Sequence, residues 1–234
     1  MKPVAIFRHS PTEGPGYFAI FLGQRGIPWQ LIRIDAGDAV PADPLAFSGL
    51  AFMGGPMSVN DDLAWIPSVL GLIRSAIDAD VPMVGHCLGG QLMAKALGGM
   101  VTRNPTKEIG WGEIALDGSA GAREWFGPAD RVPVFQWHGD TFSTPPGAAN
   151  LASSSYCAHQ AFALGRHLGM QFHIEMTAEL VECWCETGRA EITGSPGPAV
   201  QTPESILSRL DERLASLHRI ADHVYTRWLT GLRR

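Results

Sequence analysis

Short apolar runs alternate with helix-spaced stretches through the first hundred residues. Val4–Arg8, Gln30–Ile34 and Leu50–Met53 have the composition of buried strands, while Tyr17–Gln24 and Ala64–Ala79 carry large apolar residues at helical intervals. Val81–Val84 reads as a further buried strand and Leu88–Leu97 as a helix that Gly98-Gly99 stops. Strands separated by helices are βαβ units. The pattern therefore predicts an α/β fold with a mostly parallel central sheet, helices on both faces in flavodoxin-like fashion, and a site at the strand ends.

Past Glu108 the pattern changes. Glu113–Leu116 and Val132–Trp137 read as short strands between Gly, Pro and Asp-Gly turns, which predicts small antiparallel additions. Leu168–His173 reads as another strand and Thr177–Thr187 as a helix. Thr193-Gly194-Ser195-Pro196-Gly197-Pro198 then breaks the chain before a last helix over Pro203–Leu229. Its apolar positions Ile206, Leu207, Leu210, Leu214, Leu217 and Ile220 predict a stripe that folds back on the chain's own body.

With 234 residues, 45% of them hydrophobic, the chain can bury one substantial core. The expected organisation is one main domain over 1–190 with a helical extension over 191–234 packed on it. A net charge of −5 without a long Lys/Arg cluster excludes a nucleic-acid backbone as partner. No apolar run suits a signal peptide or a membrane span, so a soluble cytoplasmic protein is expected. Cys87, Cys157, Cys183 and Cys185 are too few for a disulfide scaffold and read as free thiols. Cys183-x-Cys185 lacks zinc spacing and a partner pair, and no phosphate-binding loop occurs, so neither metal nor cofactor is expected.

Candidate chemistry begins at Gly85-His86-Cys87-Leu88-Gly89, where the Val81–Val84 strand meets the following helix. A strand-to-helix corner imposes unusual backbone angles and close approach of neighbouring chain, which the glycines tolerate, and it leaves the sulfur exposed at a helix N-terminus that favours its ionised form. His86 is expected to point away and to be structural. The second signal is Gln171-Phe172-His173-Ile174-Glu175. Alternation along an extended strand would put His173 and Glu175 on one face, where the carboxylate can hold one ring nitrogen and leave the other for a thiol.

Together these motifs resemble class I glutamine amidotransferases, in particular stand-alone relatives of the GMP synthase amidotransferase domain. Further matches are Met53-Gly54-Gly55-Pro56-Met57-Ser58-Val59, Gly110-Trp111-Gly112, Trp137-His138-Gly139-Asp140-Thr141-Phe142 and Ala158-His159-Gln160-Ala161-Phe162-Ala163-Leu164-Gly165, in the family's order. The resemblance implies Cys87 as nucleophile, His173 as general base and acid, and Glu175 as the residue orienting His173. It further implies an oxyanion hole from the Gly55 and Leu88 amides, a glutamine contact from Gln91, a pocket-bordering His138, and backbone contacts to the substrate's amino-acid head around Gln160, Ala161 and Phe162. The implied substrate is glutamine or another γ-glutamyl small molecule. One departure is Ile174, where the family usually has proline.

Two other readings fit parts of this pattern. The chain after Glu175 is too short for a nucleotide-binding synthetase domain, so a stand-alone γ-glutamyl peptidase is one alternative, and a synthetase partner supplied separately is another. A DJ-1-type chaperone or redox sensor also carries an elbow cysteine. In many such proteins histidine follows the cysteine directly, whereas here Leu88 does.

Overall fold

The computed structural model describes residues 1–233. Its first half winds as the apolar pattern predicts: β1 (Val4–Arg8), α1 (Gly16–Gln24), β2 (Trp29–Arg33), β3 (Gly49–Phe52), α2 (Ile66–Asp78), β4 (Met83–His86) and α3 (Leu88–Ala96). The second half comprises β5 (Val101–Leu116), α4 (Ala120–Phe126), β6 (Arg131–Phe142), β7 (Ala149–Ser153), β8 (Ala161–Leu164), β9 (His167–Met170), α5 (Ala178–Thr187), α6 (Arg189–Gly194), α7 (Pro203–Leu207) and α8 (Leu210–Leu229). The strands of the described residues form one sheet in the order β2-β1-β3-β4-β9-β8-β7-β5-β6. Pairing is parallel from β2 through β9 and antiparallel from β9 through β6.

Strand alternation divides the core. Val4 and Ile6 of β1 face the layer of α1, α4, α5 and α8, while Ala5 and Phe7 face α2 and α3. Strands buried on both sides read as continuous apolar runs, which is why the parallel half was plain in the sequence.

The antiparallel half is larger than the short-strand reading allows. Glu113–Leu116 is the last part of a 16-residue strand and Val132–Trp137 the first part of a 12-residue one, and the two pair antiparallel along most of their length with a register shift between Arg103 and Glu108. Half-exposed polar stretches concealed their full length. The predicted strand over Leu168–His173 is also corrected: β9 ends at Met170, and the chain bends across the sheet so that His173 N–H donates to Phe135 O at 2.8 Å.

The predicted single helix over Pro203–Leu229 is two helices. Ser208 is extended and Arg209 lies at φ +53°, which separates α7 from α8 and leaves Leu207 38% exposed. The stripe continues instead as Leu214, Leu217, Ala221, Val224, Tyr225 and Trp228, buried against α1 and the sheet. Phe18 meets both Tyr225 and Trp228 edge-on, at 4.7 and 5.6 Å between ring centroids. Of the expected extension over 191–234, Arg234 lies outside the described residues.

Candidate active site

β4 delivers Cys87 directly into the first turn of α3. Cys87 caps that helix at φ +49°, ψ −108°, a conformation that a residue with a Cβ rarely adopts and that persists only where its surroundings enforce it. Enforcement comes from both sides. Cys87 N–H donates to Met170 O on β9 at 2.9 Å, and Gln91 N–H donates to Cys87 O at 3.0 Å. A Cβ on Gly89 would collide with the Phe52 carbonyl, so α3 sits too close to β3 for any other residue there. The sulfur lies 3.7 Å from Trp137 O, to which its thiol donates, and 3.5 Å from Gln171 Nε2.

His173 and Glu175 come together although no strand runs through them. His173 Nδ1 lies 2.6 Å from Glu175 Oε1, and both side chains are buried. Trp184 of α5 fixes the imidazole plane by an edge-on contact at 4.8 Å. Burial works against a charged imidazole, yet the Glu175 carboxylate and the Cys87 thiol outweigh it and hold His173 well above the ordinary histidine range. Burial likewise opposes the Glu175 charge, but His86 and His173 draw its carboxyl down to about 2.

Behind this pair stands His86. Its Nε2 lies 3.7 Å from Glu175 Oε2 and 3.0 Å from the Tyr225 hydroxyl of α8, and burial lowers its pKa against the opposing pull of the Glu175 carboxylate. The Glu175 segment is also held from the front. Tyr17 N–H donates to Glu175 O at 2.7 Å, and Gly16, at φ +45°, has no room for a Cβ beside that carbonyl.

Cys87 and His173 open onto a cavity of about 510 Å³ at the ends of the parallel strands. Gly55, Gln91 and His138 line it. Among the described residues no acceptor engages the Gly55 or Leu88 backbone N–H. Gln91 Nε2 donates to Gln171 Oε1 at 3.2 Å. Gln160, Ala161 and Phe162 are not brought to the cavity. Gln160 turns inward to donate to Glu108 Oε2 at 2.8 Å, and Ala161 and Phe162 are wholly buried in β8. The strand's place between β7 and β9 keeps their backbone in ladder bonds.

Sequence reasoning passed over Glu13, Gln171 and Trp184. Gln171 belonged to a motif already singled out; Glu13 lies in the Pro/Gly loop after β1, where loops at strand ends carry sites in such sheets. A larger cavity of about 610 Å³ beside Trp111, Gln136 and Arg213 contains no thiol.

A second group of the same residue types lies next to the first. Glu108, His138 and Cys157 are buried with ligand-type atoms within 4.8 Å of one another. Those atoms are already hydrogen-bonded within the protein. His138 Nδ1 lies 2.9 Å from Asp140 O and Nε2 3.1 Å from Glu108 Oε2; Ser154 Oγ donates to Glu108 Oε1 at 2.9 Å; Cys157 Sγ lies 3.1 Å from Thr141 Oγ1. A metal held there would have to displace these bonds.

Comparison with known proteins agrees with this geometry. The family model for class I glutamine amidotransferases matches residues 21–181. The glutamine amidotransferase-like protein YfeJ of Salmonella typhimurium is 32% identical over 199 residues, covering 81% of this chain and 82% of that protein. A GMP synthase of Bacillus pumilus is 33% identical over 138 residues, 56% of this chain; the match covers only 25% of that longer enzyme. Among solved structures, a glutamine amidotransferase from Methylobacillus flagellatus superposes with a TM-score of 0.97 at 49% identity, covering 100% of this chain and 96% of that one. One from Thermotoga maritima gives 0.87 at 26% identity, with 97% of each chain covered.

Proposed function

The chain belongs to the class I glutamine amidotransferase family, and from that we propose that it is a cysteine hydrolase that cleaves the side-chain amide of glutamine through a γ-glutamyl thioester. The observation that carries this reading is the 2.6 Å contact between His173 Nδ1 and Glu175 Oε1 beside a cysteine held at φ +49° on a helix N-terminus. With Nδ1 engaged, His173 works through Nε2.

In this reading Nε2 takes the Cys87 thiol proton, and the thiolate adds to the amide carbon of the substrate side chain. The oxyanion that forms meets the Gly55 and Leu88 N–H groups, each such donor being commonly worth about 3–4 kcal/mol in the transition state. His173 returns the proton to the departing nitrogen, the C–N bond breaks, and ammonia leaves. Water, deprotonated by the same ring, then opens the thioester and releases glutamate. An acceptor for the ammonia, and a synthetase partner to use it, belong to the proposal as open roles outside this chain.

The deciding experiment incubates the purified chain with a glutamine analogue carrying an electrophilic side chain and locates the adduct by mass spectrometry. A single adduct on the Cys87 peptide, with ammonia released from glutamine, is expected. Modification of another cysteine, or glutamine turnover that survives Cys87→Ala, would overturn the reading.

A further inference from the structure

Glu13 reaches the cavity from the loop between β1 and α1, and that loop is built to hold it there. Glu13 N–H donates to Ser10 O at 3.1 Å, and the Ser10 and Thr12 hydroxyls pair at 3.1 Å. Thr12 O accepts from Trp184 Nε1 at 2.8 Å, so the ring that fixes the His173 plane also fixes this loop. The Glu13 carboxyl fills the space over Gly54, where a Cβ would collide with its Oε2 and would stand 3.1 Å from His173 Cε1. Glu13 thus faces the cavity alongside the catalytic imidazole.

The other carboxylates of the cavity are engaged. Asp61 accepts from Ser58 N, Asp140 pairs with Ser58 Oγ and faces Arg103, and Glu191 holds Lys107 at 2.6 Å and Trp137 Nε1 at 2.9 Å. Among the described residues, no hydrogen-bond donor or cation within bonding distance engages Glu13.

The imidazole's geometry makes this position matter. Glu175 takes Nδ1, so proton transfer runs through Nε2, and Cε1 is the carbon between the two nitrogens. Glu13 therefore borders the same part of the cavity as the imidazole edge that carries Nε2. Deepening the proposed hydrolase reading, on which it rests, we infer that the Glu13 carboxylate walls the leaving-group side of the cavity and selects γ-glutamyl donors whose departing amine carries no carboxylate. Glutamine and γ-glutamyl alkylamides are then accepted, and γ-glutamyl amino acids are rejected by like-charge repulsion in a partly desolvated space.

The rejection should depend on pH. Burial pushes the Glu13 carboxyl up to about 7; His173 opposes this, while Glu175 and Glu191 add to it. His9, on the same loop, is lowered to about 4 by burial and carries no charge there, and the Lys107 charge is taken by Glu191. Glu13 therefore gains its charge as pH rises through neutrality, and discrimination strengthens in that direction.

Two measurements on the full chain test this, each comparing wild type with the isosteric Glu13→Gln. The first is kcat/KM for γ-glutamylethylamide against γ-glutamylglycine, whose leaving groups differ chiefly by a carboxylate. Wild type should favour the ethylamide by about tenfold or more above neutral pH, and Glu13→Gln should bring the ratio to within about threefold of unity by raising γ-glutamylglycine. The second is the rate at which iodoacetate alkylates Cys87 relative to neutral iodoacetamide, a ratio in which the thiolate fraction cancels. It should fall severalfold between about pH 6 and about pH 8 in wild type and stay flat in Glu13→Gln, with the iodoacetamide rate itself confirming an intact site.

Unchanged ratios in both assays would overturn the Glu13 inference while Cys87-dependent turnover left the hydrolase reading standing. Failure of wild type to cleave any γ-glutamyl amide would overturn the donor class together with the hydrolase reading, and the alkylation ratio would still decide whether Glu13 repels anions from the sulfur.

Discussion

The molecule holds two Cys–His–Glu groups side by side, and they are built for different purposes. In the first, His173 gives one nitrogen to Glu175 and keeps the other toward Cys87, which opens onto the cavity. In the second, His138 gives one nitrogen to Glu108 and the other to Asp140 O, so both ring nitrogens are engaged within the protein. Burial pushes the Cys157 thiol up, with Thr141 and His159 O only partly offsetting it. Glu108 also accepts from Ser154 and Gln160, tying β5 to the β7–β8 connection. Residue types are shared; a free nitrogen and a sulfur on an open helix N-terminus are not. Catalytic capacity therefore follows from which atoms are left uncommitted.

The sharpest break in this comparison is at sulfur. Cys87→Ala should lower ammonia release from glutamine by on the order of 10^5-fold, whereas Cys157→Ala should leave it within about threefold. His173→Ala should approach the Cys87 loss, because the proposed reading routes the thiol proton through this ring.

At the carboxylates the two groups should part in kind. Glu175→Gln should cost about 10^3-fold in rate while the protein stays folded, since the imidazole loses its orienting charge. Glu108→Gln should instead lower stability by about 1–3 kcal/mol, because an amide cannot accept from all of its donors; chemical denaturation reads that loss. Comparable rate losses in the two variants would erase the distinction. The smallest expected effect is in labelling: at mildly acidic pH, iodoacetamide should modify Cys87 about tenfold faster than Cys157 or Cys185, both of whose thiols burial raises.

Much of this was legible in the chain because the relevant signals are local. The Val81–Val84 run into Gly85-His86-Cys87-Leu88-Gly89 announces the corner through its glycines, and the parallel half announces itself through doubly buried strands. His173 and Glu175 were found by spacing, although the bend after Met170 and the bridge to Phe135 bring them together rather than strand alternation. Gln160–Phe162 was misplaced because the resemblance gave a segment without its direction, and only pairing with β7 and β9 shows it facing inward. Glu13 was invisible for the opposite reason. Its meaning depends on Gly54 and His173, which lie 41 and 160 residues further along, and no periodicity connects them.

The contact of Tyr225 with His86, which in turn faces Glu175, sets an order of events during synthesis. Cys87, His173 and Glu175 all leave the ribosome before α8, and chains elongate at only about 5–20 residues per second. For that interval Cys87 and Glu175 have both emerged while His86, which faces the Glu175 carboxylate, lacks its Tyr225 partner. Docking of α8 is thus what completes the Tyr225–His86–Glu175 contact, so the innermost support of that carboxylate is the last part of the site to be made.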